Sequence, residues 1–101
     1  MYSIMCMSRG IGYVKWFNTK TGYGFITYEN ADIFVHHANL VVDNNQYKYL
    51  VQGEYVEFVI SELENSKHKN NATEVTGVYR GLLMCETRAK AKLEQENQKQ
   101  V

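Results

Sequence analysis

Four side chains between Gly22 and His37 have the chemistry to hold a flat aromatic ligand. Tyr23 and Phe25, then Phe34 and His36, alternate with Gly24, Ile26, Ile33 and Val35. On a β-strand, residues two apart point to the same side. Tyr23 and Phe25 therefore share one face of a strand, and Phe34 and His36 share one face of the next. The small or aliphatic opposite face can supply a core, which leaves the rings outward. Exposed rings on a sheet suit unpaired nucleobases, whose π-faces stack on aromatic side chains whatever the base.

The competing reading makes these rings part of the core. It is the weaker one, because Ile26, Ile33, Val35, Val56, Phe58 and Ile60 already furnish an apolar inner face. Phe17 is the exception and reads as core. His36-His37 invites a metal-binding or acid–base reading. Adjacent strand residues point to opposite faces, however, so the two imidazoles are not expected to share one ion. No cluster of carboxylates or cysteines at ligand spacing accompanies them. Neither metal nor cofactor is expected, and no assembled acid–base pair supports a nuclease or any other enzyme.

The elements that must position the rings follow from the turn signals. Gly12 to Asn18, rich in Val, Trp, Phe and Tyr, reads as a first strand. Its alternation is imperfect: Val14 and Trp16 share a parity, while Phe17 also looks like core. A bulge or sharp bend resolves the conflict. Thr19 to Gly22 is a turn, with Gly22 suited to a positive φ. Tyr23 to Tyr28 is the second strand, Glu29 to Asp32 a tight connection, and Ile33 to His37 the third strand.

Ala38 to Gln52, with Asp43-Asn44-Asn45 and Gln46-Tyr47-Lys48-Tyr49, reads as a long loop with a short helical turn near its start. Gly53-Glu54 is a further turn. Glu54 to Glu64 alternates as a fourth strand, with Val56, Phe58 and Ile60 inward and Glu57 outward. Asn65 to Asn71 is a polar loop in which Lys67-His68-Lys69 reads as a solvated turn. Ala72 to Tyr79, with Val75 and Val78, is the fifth strand. From about Gly81 the residues are helix formers, with Glu86 and Lys90 as a favourable i,i+4 pair. Leu82, Ala89 and Leu93 give only a thin apolar stripe, so this helix is expected to fray into solvent.

Composition bounds the rest. A chain of 101 residues, 45% hydrophobic and 22% charged, suits one small domain and excludes disorder over its whole length. The formal net charge is zero, so the strongly basic balance common in nucleic-acid binders is missing. From Gly10 to Tyr79, five lysines oppose eight carboxylates for a net −3, and the segment from Arg80 onward carries +2. Stacking rather than phosphate neutralisation must then carry most of any affinity. Cys6 and Cys85 lack metal-ligand spacing and read as reduced thiols. Met1 to Met7 is apolar but short and has no basic start, so it is a poor secretory signal. No run approaches the ~18 apolar residues of a membrane span. A soluble, cytoplasmic protein is expected, with the nucleus left open.

Lys15-Trp16-Phe17-Asn18, then Gly22-Tyr23-Gly24-Phe25-Ile26, then Phe34-Val35-His36, at this spacing, resemble the cold-shock domain shared by bacterial cold-shock proteins and eukaryotic Y-box proteins. The second and third blocks are similar to its two ribonucleoprotein motifs, and the resemblance extends from about Gly10 to Val78. It implies an all-β fold, a five-stranded antiparallel barrel of the oligonucleotide-binding (OB) type, here with a short C-terminal helical extension. The expected organisation is a flexible arm over 1–9, the barrel over 10–79, and a helical or disordered extension over 80–101. Carried over position by position, stacking falls to Trp16, Tyr23, Phe25, Phe34 and His36, with Tyr47 as a further aromatic in the long loop. Lys15 and Lys48 match basic positions near the bound strand, and Asn18 and Asp32 match polar positions that hydrogen-bond base edges.

Thr21, His37 and Glu74 depart from the family pattern. The resemblance implies a non-enzymatic protein that binds single-stranded RNA or DNA, as an RNA chaperone or a regulator of translation or transcription. The rival class is a protein-interaction or structural module, for which the C-terminal segment is the candidate surface for a partner or for self-association.

Overall fold

The computed structural model describes residues 9–42, 46–62 and 70–99. Cys6, the Asp43-Asn44-Asn45 part of the long loop and Lys67-His68-Lys69 lie outside the described residues.

Five strands, β1 (Arg9–Asn18), β2 (Tyr23–Tyr28), β3 (Ala31–His36), β4 (Tyr55–Glu62) and β5 (Asn70–Gly77), close into a barrel. Their order around it is β1-β2-β3-β5-β4, with β4 paired back to β1. Four pairings are antiparallel, and β3 runs parallel to β5 through Phe34–Asn71 and Val35–Ala72. A closed ring with an odd number of strands cannot alternate direction at every pairing, so one parallel pair is unavoidable. The strands occupy the expected places with shifted ends. β1 starts earlier, because Arg9 pairs with Val59, and β5 ends at Gly77.

The parity conflict in β1 is resolved by a bulge. Val14 pairs with Ile26 and Trp16 with Phe25, so Lys15 is the extra residue. Val14 is consequently buried while Trp16, two residues on, is exposed. Phe17 turns inward and packs, partly buried, against the core. Gly24 makes the bulge sterically possible: a Cβ there would sit 2.2 Å from the Trp16 carbonyl oxygen and 2.7 Å from Phe17 Cα.

Val14, Ile26, Ile33, Val35, Val56, Phe58, Ala72 and Val75 fill the barrel from its strands. Leu40 and Leu50 from the long loop, and Leu83 and Cys85 from the C-terminal segment, complete the core. The expected helical turn after β3 is present as a 3₁₀ turn, His37–Asn39. From there Leu40 bridges to Val75 and carries the chain across to β5.

Three expectations about side chains are corrected. The first concerns the C-terminal helix α1 (Met84–Lys99). It does not rest on Leu82, Ala89 and Leu93; Leu82 and Leu93 are exposed, and burial falls instead on Leu83, Cys85 and Glu86. The first turn of α1 docks on the barrel. The buried Glu54 carboxylate caps it, accepting from Met84 N–H at 2.7 Å and from Val51 N–H at 3.0 Å. Glu86 accepts from Leu83 N–H at 3.0 Å. Two carboxylates thus serve the unsatisfied amides at the positive end of the helix.

The second correction concerns Glu57, which alternates with Val56 and Phe58 but is buried rather than solvated. Arg9 forms an ion pair with it at 2.5 Å, and Tyr79 N–H donates to it at 2.9 Å. The Arg9 hydrogen bond, and to a lesser degree the Tyr79 amide, hold the Glu57 carboxyl below its ordinary value against the opposing effect of burial. The third concerns His36 and His37. Their rings do not lie on opposite faces, because β3 ends at His36 and His37 opens the 3₁₀ turn. Their centroids are 4.3 Å apart.

Candidate functional site

The bulge in β1 decides where the rings meet. It brings Trp16 opposite Phe25, and the β2–β3 register sets Phe25 opposite Phe34 and Tyr23 opposite His36. Trp16, Tyr23, Phe34 and Phe25 then form a closed circuit on the outer face. Centroid distances are 5.9 Å for Trp16–Tyr23, 5.6 Å for Tyr23–Phe34, 5.7 Å for Phe25–Phe34 and 5.4 Å for Trp16–Phe25. The tilted and edge-on contacts are the favoured aromatic geometries, so each ring holds its neighbours in place. Tyr23, Phe25 and Phe34 are half-buried, and Trp16 is 39% exposed.

His36 extends this surface. Its Nδ1 accepts from Ala38 N–H at 3.2 Å, which in the neutral ring leaves the proton, and the donor role, on Nε2. His37 is exposed and lies against Gly22, where an added Cβ would approach its Cδ2 to 2.4 Å. Gly22 has φ +81°, and its carbonyl accepts from His37 N–H at 2.7 Å. Glycine at this turn therefore fixes the start of the 3₁₀ segment beside the rings.

The polar residues expected at the site are engaged with the protein itself. Asn18 Oδ1 accepts from Lys20 N–H at 2.9 Å and from Thr21 N–H at 3.2 Å, an Asx-type turn that shapes the β1–β2 connection. Lys15 Nζ pairs with Asp32 Oδ2 at 2.8 Å, with both side chains about half exposed. The hydrogen bond that Lys15 donates to Asp32, then the charge of Asp32, raises the Lys15 pKa. At the rim of the ring surface the lysine charge is thus partly offset, and salt screens what remains. Tyr47 is 64% exposed, and its hydroxyl donates to the Thr19 carbonyl, which ties the long loop to the β1–β2 turn. Lys48 beside it is half-exposed.

Sequence reasoning missed the Tyr47 tether and the approach of Arg88 and Lys92, on α1, to Tyr47 and Tyr49. The i,i+4 spacing of these cations was a signal that they share a helix face. Which face turns toward the loop depends on the docking of the first helical turn, which periodicity does not encode. Among the described residues, no group of three or more His, Cys, Asp or Glu side chains is placed to hold a metal. None of their helices is long and apolar enough to cross a membrane.

The family model for the 'Cold-shock' DNA-binding domain matches residues 10–78, the whole of the barrel from Gly10 onward. The chain belongs to the cold-shock domain family. Its relatives include the cold shock-like protein CspE of Buchnera aphidicola subsp. Acyrthosiphon pisum, 47% identical over 58 residues that span 55% of this chain and 81% of the relative. Y-box-binding protein 1 of Xenopus laevis is 42% identical over 73 residues, 67% of this chain but 24% of that protein. Protein lin-28 of Caenorhabditis briggsae is 40% identical over 75 residues, 72% of this chain and 30% of that protein. Cold-shock domain proteins bind single-stranded nucleic acids and are not enzymes. The five-stranded barrel is the family's OB-fold, with the aromatic cluster on its surface. The departures from the family pattern are structurally accommodated. Thr21 uses its amide in the Asn18 turn, and Glu74 takes a positive φ of 49° with its carbonyl accepting from Arg9 at 2.9 Å.

Proposed function

We propose that this cold-shock domain binds a short run of unpaired RNA or DNA nucleotides across the outer face of β1, β2 and β3. In the cell it would act from the cytoplasm as an RNA chaperone or a regulator of translation or transcription. The observation that supports this reading is the closed circuit of Trp16, Tyr23, Phe34 and Phe25, left facing solvent while aliphatic side chains and Phe58 fill the core. Each base stacked on such a ring contributes ~1–3 kcal/mol. Several rings together give roughly micromolar binding or tighter after the costs of ordering the strand.

In this reading Trp16, Tyr23, Phe25, Phe34 and His36 stack against bases, and Tyr47 adds a ring beside the Thr19 turn. Lys48 approaches a phosphate, as does Lys15 once its pairing with Asp32 is exchanged or shared. Asn18 has its carbonyl oxygen committed to the turn, so its amide N–H₂ reads base edges, and Asp32 accepts from a base with its second oxygen. With few free cations on an acidic barrel, the salt slope is shallow, about −0.7 per phosphate neutralised.

Trp16 is the only Trp and reports on the site directly. Titration with a short pyrimidine oligonucleotide should quench its fluorescence with saturation in the micromolar range. Unchanged emission well above that range would remove the proposal and favour the protein-interaction reading.

A further inference from the structure

A second recess lies beside the ring surface, where the long loop meets α1. Its volume is about 250 Å³, and Gln46, Tyr47 and Tyr49 line one side with Arg88 and Lys92 on the other. Gln46 joins the two walls, donating from Nε2 to the Cys85 carbonyl at 2.9 Å. Its Oε1 is buried and, among the described residues, has no hydrogen-bond partner. A buried amide oxygen without a donor is costly. The two tyrosine rings lie 6.1 Å apart and are tilted by 33°. Arg88 and Lys92, one helical turn apart, are exposed, and among the described residues neither has an ion-pair partner. On a barrel whose body is acidic, this is a local cationic wall facing an aromatic one.

Aromatic rings facing two cations that have no ion-pair partner among the described residues are together the chemistry of a nucleotide site. A base stacks on tyrosine, and its phosphate lies between guanidinium and ammonium. Tyr47 belongs to both surfaces: it lines the recess, and its hydroxyl is bonded to Thr19 in the turn that borders the rings. We infer that the recess between the long loop and α1 takes a further nucleotide of the same single strand as it runs off the β1–β3 face. The C-terminal helix is therefore part of the binding surface and lengthens the footprint of the barrel. This inference rests on the nucleic-acid reading proposed above.

The test compares the full chain with its Arg88→Ala/Lys92→Ala variant, using oligonucleotides of about four and about eight nucleotides, within the range of site sizes for one OB fold. Both substitutions are at exposed helical positions, and circular dichroism should show unchanged helix content. The short oligonucleotide, confined to the rings, should bind both proteins equally. The longer one should bind the unaltered chain roughly tenfold more tightly than the variant, as expected when the nucleotide in the recess loses its charged phosphate contacts. The salt slope of the variant should also be shallower by about 0.7 for each cation removed. Equal affinity of the two proteins for the longer strand would overturn the inference while leaving the ring site intact. An equal loss for both lengths would overturn it too, by placing the cations on the main path. Failure of the short oligonucleotide to bind the unaltered chain would instead remove the nucleic-acid reading itself, and this inference with it.

Discussion

Two regions of this small barrel handle costly groups in opposite ways. Along β4 and at the start of α1 the expensive groups are carboxylates, and the protein satisfies them internally. Glu54 caps α1, Glu86 bonds Leu83, and Glu57 is held by Arg9 and Tyr79. A buried charge persists only when paired in this way. On the outer face of β1–β3 the expensive groups are apolar rings, and they are satisfied only in part, by one another. Contiguous exposed apolar surface marks an interaction site. One region is complete as folded, and the other is the one that, in the proposed function, a nucleic-acid strand completes.

The largest effect expected from this contrast is on binding. Replacing Phe25 and Phe34 together by Ala should cost about 1–3 kcal/mol for each ring, raising the dissociation constant at least roughly thirtyfold. Melting temperature should change far less than binding. Affinity that survived the double substitution would place the site elsewhere. Phe58→Ala should do the reverse. Its ring is fully buried and packs edge-on against Tyr28 at 5.5 Å, so its loss should lower stability by about 3–5 kcal/mol in a denaturant titration. The molecules that remain folded should bind with unchanged affinity.

The carboxylate region should respond to acid. Glu57 titrates below its ordinary value in the folded chain, so its contribution to stability is complete above the unfolded carboxylate pKa. It is lost as pH falls from there through the depressed folded value. Thermal melts across the acid range should show this decline, and Arg9→Met should lower the melting temperature at neutral pH by several degrees and flatten the acid limb. An identical acid limb in that variant would show that the Arg9 pair does not set the Glu57 titration. Lys15→Ala should have the smallest effect. Because the lysine is already paired with Asp32, the salt slope should fall by no more than about 0.7, with the melting temperature unchanged.

Much of the ring surface is legible in the chain, because alternation is a local property. Tyr23, Phe25, Phe34 and His36 declare a shared face by spacing alone. Even the β1 bulge shows itself, since Val14, Trp16 and Phe17 cannot otherwise be reconciled. The other region is not legible, because its partners are remote in sequence. Glu54 meets Met84 thirty residues later, and Arg9 meets Glu57 forty-eight residues later. Period-two patterning assigns Glu57 a side of its strand but cannot tell that Arg9 covers that side. The tilted contact of His36 with His37 is hidden for a related reason: nothing local announces that β3 ends between them. Helical periodicity likewise singles out Leu82, Ala89 and Leu93, whereas docking of α1 by its first turn buries Leu83 and Cys85.

The division between the two regions can be observed in one experiment, by mapping proton chemical shifts of the full chain during titration with a short single-stranded oligonucleotide of about four nucleotides, the lower end of OB-fold site sizes. The ring protons of Trp16, Tyr23, Phe25 and Phe34 should move together with a single dissociation constant, while the signals of Phe58, Leu83 and the Arg9–Glu57 pair stay in place. Shifts confined to the Arg9–Glu57 side or to α1, with the four rings unmoved, would contradict the account.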